Sequence, residues 1–569
     1  MKRIGVGATA AAVAVAPALM LPSAAFAAGP DPINFPSGQF FDCLVNLGVD
    51  TDSDGVITED EAAAFTGALN CATTTSWGYP SIAGIEYFTG VTSINLSGAG
   101  IQDLSPFFGG TNNGGGDSAN PDAPASFGSG VRNLDLSNNA TAYPLQNIGY
   151  LANFVDLENL NLANNASLED LSVLATLTNL TNLDLSNNVA VDDLSFLPGS
   201  LETVRLSGIP APLNLNVFAS NTNLRTLEVN DTGVEDLSPL AGATNLRTLD
   251  ARNTPDLEDL NGLASTSLEY LDISNSSVVD LTPLAGLTTL ETLRVENTAI
   301  ADVSTLASLT GLLNFSAANA NIVDITALEN LSLESVNLSG NNVTDASVLA
   351  DNASLIYLNL ADNAGVDISA LTGLTNISYL NVARTGVSDI DVLSGYATLT
   401  VLDLSENEIS DISALEGLNL YALYLNNNHV VDLRPLAGHT NLTALTLFDQ
   451  TASAADAMAT VAFDNPVRNQ AGNPIALTVV TGEGTYADGK ITWTKDGAST
   501  ASWSQDVTIG TATASFSGVL SQDVVPFDGE TILTGAFEMP WYGYMGMALV
   551  ALLGAAAFGF VMLRKRATI

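Results

Sequence analysis

Cysteine, histidine and basic residues are scarce in this chain. Its 569 residues include two cysteines, two histidines and 16 lysines and arginines, against 61 acidic residues, so the formal net charge is −45. So few cysteines and histidines leave little material for nucleophilic or metal-based catalysis, and we do not predict an enzyme. The shortage of basic side chains argues against a nucleic-acid partner, whose phosphates require basic patches. The acidic excess favours basic partners or divalent cations, and adaptation to salt would produce the same excess.

A repeat of 22 residues organises most of the chain. Residues 224–245 read LRTLEVNDTGVEDLSPLAGATN, and residues 246–267 read LRTLDARNTPDLEDLNGLASTS. A fixed period of this length is typical of a solenoid, in which each unit buries its apolar face only against its neighbours. About sixteen units are predicted, with strands that open near Val91, Val131, Leu157, Leu180, Leu201, Leu224, Leu246, Leu268, Leu290, Leu312, Leu333, Leu355, Ile377, Leu399, Leu420 and Leu442.

The ninth position of each unit should be buried under a turn, where its side chain must satisfy backbone groups. Asparagine can bridge successive turns there because its side-chain amide carries two donors and an acceptor, whereas the threonine and serine hydroxyls can form fewer hydrogen bonds. Ile209 and Ala320 interrupt the series and are predicted weak points. The asparagines in this position are Asn139, Asn165, Asn188, Asn341, Asn363, Asn407 and Asn428.

The pattern L-x-x-L-x-L-x-x-N/T resembles a leucine-rich repeat, in the 22-residue form of the bacterial internalin family. The resemblance covers about residues 33–524. It implies an α/β solenoid: a curved horseshoe with a parallel sheet, a small helical cap before it and a C-terminal β-sandwich after it. It further implies an adhesion or recognition protein whose concave face binds a protein or a glycan.

Both ends of the chain carry membrane signals. Residues 1–27 combine two basic residues, an apolar run and an Ala-Phe-Ala cleavage site, which is typical of a secretory signal peptide. Residues 541–563 contain no charge and precede a basic triplet, so we predict one transmembrane helix over 539–563 and a cytoplasmic tail over 564–569. The protein would be anchored at the cell surface with its N-terminus outside, and the resemblance implies a Gram-positive bacterium. No LPxTG motif precedes the span, so covalent wall attachment is unsupported.

Residues 28–80 form the predicted cap, and within it residues 50–61, DTDSDGVITEDE, satisfy the pattern of an EF-hand calcium loop. A helix is predicted before the loop and another over residues 61–69. A single loop of this kind suggests a structural Ca²⁺ that stiffens the end of the solenoid; the alternative is an acidic turn without an ion. The predicted ligands are Asp50, Asp52, Asp54, Val56 through its carbonyl, Thr58 and Glu61.

The two cysteines, Cys43 and Cys71, flank this loop. A secreted chain enters an oxidising compartment, where the two thiols would form a disulfide. The closed loop would contribute about 3 kcal/mol to stability by the chain-entropy estimate. Two buried free thiols are the alternative.

Residues 81–448 hold the repeats, with a Gly- and Asn-rich insertion at residues 108–130 that is expected to loop out, either disordered or as a binding loop. Outward strand positions carry the predicted ligand-binding surface. Exposed tyrosines are frequent in binding hot spots. Two alternatives need no ligand. The arginines could pair with acidic residues on neighbouring strands, and a C-terminal domain could fold over the tyrosines. The surface comprises Tyr357, Tyr379, Tyr421, Tyr424, Arg225, Arg247, Arg252 and Arg294.

Residues 449–538 contain β-rich runs separated by Gly, Asp and Asn turns, and they resemble the immunoglobulin-like domain that follows internalin repeats. The function predicted for the whole chain is cell-surface adhesion through protein binding. The alternative is a structural cell-envelope or surface-layer protein that acts by self-association.

Overall fold

The computed structural model describes residues 31–73, 81–101, 103–108, 127–139, 144–210 and 212–526. The chain divides into two compact units, residues 1–180 and residues 181–569. The signal peptide, the transmembrane helix and the basic tail predicted from the sequence lie outside the described residues. Among the residues that are described, no helix has the length and apolar character needed to cross a membrane.

The first unit begins with two short α-helices, α1 (Gly38–Asn46) and α2 (Glu59–Ala64). Ser37 caps α1 by accepting a hydrogen bond from the Phe40 amide. Strand β1 (Leu69–Asn70) follows and pairs in parallel with the first repeat strand, Leu69 opposite Ile94. The helix predicted over residues 61–69 is therefore too long, because the chain leaves the helix after Ala64 to enter the sheet. The repeat strands of this unit are β2 (Ser93–Asn95), β3 (Asn133–Asp135) and β4 (Asn159–Asn161).

Three phenylalanines fill the core of the first unit beside the insertion. The ring centroids of Phe107 and Phe154 lie 5.0 Å apart, and that of Phe127 lies 5.7 and 5.9 Å from them. Phe127 belongs to the insertion predicted at residues 108–130, yet it is buried. The C-terminal end of that insertion thus packs into the core instead of looping out, because an aromatic side chain stabilises the fold when its apolar area is buried. Residues 109–126 lie outside the described residues.

Thirteen repeat strands, β5 to β17, form the parallel sheet of the second unit. Each three-residue strand places its central residue in the core, as Leu227 and Leu249 show in adjacent strands. The strands are β5 (Asn182–Asp184), β6 (Thr203–Arg205), β7 (Thr226–Glu228), β8 (Thr248–Asp250), β9 (Tyr270–Asp272), β10 (Thr292–Arg294), β11 (Asn314–Ser316), β12 (Ser335–Asn337), β13 (Tyr357–Asn359), β14 (Tyr379–Asn381), β15 (Val401–Asp403), β16 (Ala422–Tyr424) and β17 (Ala444–Ser453).

The predicted parallel-sheet repeat fold is confirmed, with one described strand for each of the sixteen predicted units, β2 to β17. Most repeats return through a short 3₁₀ helix, so α-helix is confined to α1 and α2 among the described residues. Tight returns suit a 22-residue unit, which leaves no room for a longer helix between strands. The 3₁₀ helices are Ile85–Tyr87, Ser105–Phe108, Gly149–Asn153, Ser172–Thr176, Leu215–Phe218, Ser238–Gly242, Thr282–Leu284, Ser304–Ser308, Thr326–Leu328, Ser347–Leu349, Asp391–Gly395, Ser413–Leu415 and Arg434–Leu436.

Buried asparagines join successive turns. The Asn341 Nδ2 group donates to Ala317 O of the preceding repeat and to Leu338 O of its own, both at 2.8 Å. Its Oδ1 atom accepts from the Ala320 and Ile322 amides, so the repeat that carries Ala320 is bridged by its neighbour. The Thr254 hydroxyl bonds only a carbonyl of its own repeat, Ala251 O, whereas the Thr385 hydroxyl also lies 3.0 Å from Asn407 Oδ1 of the next repeat.

The C-terminal strands continue the second unit without a break at residue 449, because β17 runs through that position. Strand β24 (Ala512–Val525) pairs in parallel with β17 and with β18 (Ala457–Met458), and in antiparallel with β23 (Gly497–Ile509). Strand β20 (Thr478–Thr481) pairs with the outer side of β23. A separate antiparallel sheet contains β19 (Ala462–Asp464), β22 (Lys490–Trp493) and β21 (Gly484–Ala487).

The Trp493 indole connects this small sheet to β24 by donating to Gln522 Oε1 at 2.8 Å. Trp493 is fully buried. The described residues thus form a β region after the repeats, as predicted, and its immunoglobulin-like topology stays a prediction.

Candidate calcium loop and recognition face

Three of the predicted calcium ligands lie together. The carboxylates of Asp50, Asp52 and Asp54 can each place an oxygen within 4.8 Å of the others. The Asp50 Oδ2 atom accepts a hydrogen bond from the Gly55 amide at 3.0 Å, whereas its Oδ1 atom is buried and has no hydrogen-bond partner. A buried carboxylate oxygen without a partner is costly, and a cation would satisfy it. The donor set therefore fits a calcium ion, whose ligands are oxygens.

The loop backbone holds these carboxylates in place. Ser53 and Gly55 have φ angles of 61° and 84°, in the left-handed region that glycine adopts without strain. The Asp54 amide donates to Asp52 Oδ1 at 3.1 Å, and the Val56 amide donates to Asp54 Oδ1 at 2.8 Å. These turns leave the second oxygen of Asp52 and of Asp54 for other contacts.

Glu61 lies apart from the aspartate cluster. Its Oε1 atom accepts hydrogen bonds from the Thr51 amide and hydroxyl at 2.8 and 2.9 Å, and its Oε2 atom accepts from the Thr58 amide and hydroxyl at 3.0 and 2.9 Å. Thr58 and Glu61 together form a capping box at the start of α2. The hydrogen bond from the Thr58 amide contributes most to lowering the pKa of Glu61 to about 2, with smaller contributions from Thr51 and an opposing effect of burial.

The structure thus brings the three predicted aspartate ligands together. Val56 is exposed after the cluster, and Thr58 and Glu61 are engaged with each other. Beside the loop, Cys43 of α1 and Cys71 are joined by a disulfide, with their Cα atoms 5.8 Å apart. The bond ties α1 to the residue that follows β1.

The predicted binding residues lie on or beside one face of the second unit's sheet. We define the sheet face as the first and third residues of strands β5–β16 and the residue before each strand. Three of the four predicted arginines have acidic partners: Arg225 Nε lies 3.2 Å from Glu202 Oε2, Arg247 pairs with Glu269, and Arg252 lies 3.5 Å from Asp250 Oδ2. Cross-strand pairing therefore explains Arg225 and Arg247, as the sequence allowed, whereas Arg252 pairs within its own repeat.

Arg294 differs from those three. Its side chain is exposed on β10, and no acidic oxygen of the described residues lies within 4 Å of its nitrogen atoms. On β9 beside it, Asp272 is only 2% exposed and accepts from the Ser274 amide at 3.0 Å and the Tyr270 hydroxyl at 3.3 Å. Burial raises the pKa of Asp250 on the next strand.

The tyrosines divide into a stacked pair and two separate rings. Tyr357 and Tyr379 face each other across β13 and β14 with ring centroids 4.3 Å apart and planes 12° apart. Burial raises the pKa of Tyr379. Tyr421 is 50% exposed and Tyr424 is partly exposed, so the C-terminal strands do not fold over them.

Comparison with known proteins finds solved structures of similar fold. The functional domain of InlJ from Listeria monocytogenes, which includes a cysteine ladder, matches 87% of this chain and 100% of its own with a TM-score of 0.56 and 19% identity. A leucine-rich repeat protein of Leptospira interrogans matches 56% of this chain and 84% of its own, with a TM-score of 0.51 and 20% identity. A family model described as LRR adjacent matches residues 472–525.

In fold, this is an internalin-like leucine-rich repeat protein. An internalin from Listeria monocytogenes, InlF, also matches 74% of this chain and 98% of its own, at 28% identity and a TM-score of 0.42. No curated protein matches the sequence.

Sequence reasoning missed a second ladder in this internalin-like protein. The residue before the buried ninth position adopts a left-handed conformation in repeat after repeat, with φ near 56° at Asn253 and 59° at Asn275. The exposed side chains at this position form hydrogen bonds from one repeat to the next, at 2.8 to 2.9 Å. Asn253 Nδ2 donates to Asp231 Oδ1, Asn275 to Asn253, Asn297 to Asn275 and Asn319 to Asn297. The recurrence of Asn, Asp and Gly at this position was the signal available.

His429 holds a second feature that the sequence did not reveal. Its Nδ1 atom lies 2.6 Å from Thr451 O and its Nε2 atom 2.5 Å from Glu408 Oε2, beside a cavity of about 540 Å³. Burial lowers the pKa of His429, but the bonds to Glu408 and Thr451 O outweigh it and the pKa is raised. Both ring nitrogens thus lie against oxygen atoms, and Nδ1 is also 2.8 Å from Thr451 Oγ1.

Proposed function

We propose that the protein is a cell-surface recognition protein that binds a partner macromolecule with the sheet face of its second unit. The observation that supports this most directly is the exposure there of tyrosines and of Arg294 on a pre-formed parallel sheet. Tyrosine and arginine are the residues most enriched in binding hot spots, and a rigid sheet orders few side chains on binding. Adhesion is the role we assign to this face, through protein binding where the face carries Arg294 and Tyr421.

The calcium loop has a structural role in this proposal. Asp50, Asp52 and Asp54 would hold the ion, with Glu61 joining them only after it exchanges its bonds to Thr51 and Thr58. Calcium would neutralise three adjacent carboxylates and satisfy the buried Asp50 Oδ1 atom. The disulfide between Cys43 and Cys71 supports the same segment.

We infer that the partner is not a nucleic acid and that the protein is not an enzyme. Most arginines of the sheet face are already paired with carboxylates, which leaves little positive potential for phosphates. His429, the histidine beside the cavity, is held between Glu408 and Thr451. Secretion through the segment at residues 1–27 and anchoring through 539–563 complete the proposal.

An adhesion assay tests the binding face. Beads coated with the purified protein are passed over epithelial monolayers and over bacterial lawns, and retained beads are counted. An Arg294→Ser, Tyr421→Ser variant should lose most of the retention, because it removes the exposed cation and the exposed ring. A Val279→Ser, Val323→Ser variant is the control, since these side chains are 57% and 59% exposed but lie off the strands.

Equal retention by both variants would refute binding through this face. The same preparation distinguishes self-association: sedimentation velocity should show a monomer. An ordered array of the wild type would support the surface-layer alternative instead.

A further inference from the structure

The sheet face changes its chemistry along the second unit. From β6 to β10 its outward positions are mostly charged, with arginines and carboxylates alternating. From β12 to β14 they are almost entirely neutral. We name this second stretch the tyrosine strip; it comprises Glu334, Ser335, Asn337, Ile356, Tyr357, Asn359, Ser378, Tyr379 and Asn381. Glu334 is its only charged member.

Each tyrosine of the stacked pair keeps its outer ring face clear of large neighbours. Tyr357 stands beside Tyr379 on one side and Ser335 on the other, and Tyr379 stands beside Val401. Neighbouring strands lie about 4.8 Å apart, so a serine or valine side chain is too short to cover the ring next to it. The outer face of each ring therefore borders a smaller side chain on the neighbouring strand.

Hydrogen-bonding groups without charge line the same strip. The Oδ1 atoms of Asn359 and Asn381 accept from the Ala361 and Ala383 amides at 3.1 and 2.9 Å, so their NH₂ groups are the side-chain donors of the strip, and that of Asn381 also interacts with the Tyr379 hydroxyl. Ser378 and the neighbouring Thr400 share a hydroxyl pair at 2.9 Å. The asparagine NH₂ groups can donate to hydroxyl oxygens of a ligand. Glu334 is the one residue of the strip that could form an ion pair with a charged ligand.

We propose that the tyrosine strip binds an uncharged polysaccharide, with pyranose rings packed on the outer faces of Tyr357 and Tyr379 and sugar hydroxyls bonded to the asparagine amides. A pyranose offers apolar C–H faces and a rim of neutral hydroxyls, which is the complement of this surface. A charged partner would leave its own charges desolvated and unpaired here. This inference rests on the proposed function and names the ligand class for one part of the sheet face.

Calorimetric titration of the purified protein tests the inference with neutral hexasaccharides of β-1,4-linked glucose, mannose and N-acetylglucosamine. A hexasaccharide of galacturonic acid is the charged comparison. The test variant is Tyr357→Thr, Tyr379→Thr, because threonine is the native residue at the same register position in β7, β8 and β10. The control variant is Tyr270→Thr, which removes a ring at this position from the charged part of the face.

The wild type should bind at least one neutral hexasaccharide and not the galacturonic acid chain. The double variant should bind it about tenfold more weakly or worse while its circular dichroism spectrum stays that of the wild type, and the control variant should bind as the wild type does. Absence of binding to every neutral probe at millimolar concentration, or equal binding by the double variant, would overturn the inference. If bead retention still depends on Arg294 and Tyr421 in that case, the recognition function stands and only the ligand class is wrong.

Discussion

Buried amide groups decide how firmly one repeat is joined to the next. Asn363 shows the full pattern: its Nδ2 group donates to Leu338 O and Leu360 O at 2.8 and 2.9 Å, and its Oδ1 atom accepts from the Val343 amide at 2.9 Å. All of these groups are shielded from water. Each would cost about 1 to 3 kcal/mol if it lost its partner without gaining water.

Asn363→Ala should therefore lower the free energy of unfolding by about 2 to 4 kcal/mol, because it leaves several buried backbone groups unpaired. Asn363→Thr should cost less, since a threonine hydroxyl still reaches the carbonyl of its own repeat, as Thr298 reaches Val295 O at 2.7 Å. Urea denaturation measures both. Asn376→Ala is the control, because Asn376 is exposed and bonds only Ala353 O. A loss of stability in Asn363→Ala no larger than the control's would contradict the bridging role.

Glu61 in the cap has two alternative sets of partners, with and without a bound ion. Without an ion, Glu61 bonds Thr51 and Thr58 and thereby caps α2, while Asp50 Oδ1 has no partner. With calcium, a twelfth-position glutamate of this loop type is expected to bind the ion. Calcium binding would thus replace the hydrogen bonds of Glu61 to Thr51 and Thr58 with coordination of the ion.

Calcium should raise the melting temperature of the first unit. An extracellular loop of this kind binds in roughly the 10⁻⁴–10⁻³ M range, so ten- to hundredfold excess calcium would add about 1 to 3 kcal/mol. Differential scanning calorimetry with calcium and with chelator measures the shift. Asp50→Asn should abolish it, and Asp42→Asn, which removes a charge from α1 outside the loop, should keep it. A wild type indifferent to calcium would reduce the loop to an acidic turn.

At the scale of the whole molecule, the acidic excess has a structural use. Many aspartates lie two residues before the start of a 3₁₀ helix, and their Oδ1 atoms accept the backbone amide there, at 2.8 Å for Asp280, Asp302 and Asp324. Such turns recur in both units. Hydrogen bonds from these backbone amides are the main cause of the lowered pKa values of Asp170, Asp193, Asp280, Asp302 and Asp324. At Asp345 and Asp367, the hydrogen bond from a serine side chain lowers the pKa most and the bond from the backbone amide adds to it.

The lowered pKa values predict sensitivity to acid. Below the ordinary pKa of 3.8, unfolded chains take up protons at these aspartates before the native state does, so the stability they contribute is complete above that pH and is lost as the pH falls through the native pKa. An Asp280→Asn, Asp302→Asn, Asp324→Asn variant keeps the acceptor oxygens but cannot titrate. Its melting temperature should fall less than that of the wild type between about pH 5 and about pH 3.

The matched control for the acid experiment changes three exposed glutamates outside these turns, Glu235, Glu258 and Glu329, to glutamine. It should keep most of the wild-type pH dependence. Identical curves for the two triple variants would show that overall charge, and not the aspartate turns, governs acid unfolding.

Periodic and local features of this protein follow from the sequence. The spacing of leucines alone determined the sixteen strands, their parallel order and the buried central residues, because each unit has the same internal geometry and stacks on a copy of itself. The ninth-position asparagines follow for the same reason. The clustering of Asp50, Asp52 and Asp54 was also readable, since they lie within a few residues of one another and their turns bring them together.

Only the tertiary structure decided which side chains meet. It paired Arg225, Arg247 and Arg252 with carboxylates and left Arg294 exposed, although all four look alike in sequence. It likewise stacked Tyr357 on Tyr379, turned Glu61 toward Thr58 and placed buried Gln450 where the last bridging asparagine would stand. All of these outcomes depend on side-chain rotamers, and those that join two repeats depend on neighbours about 22 residues away, where small differences in contact energy, and not the repeat pattern, select the partner.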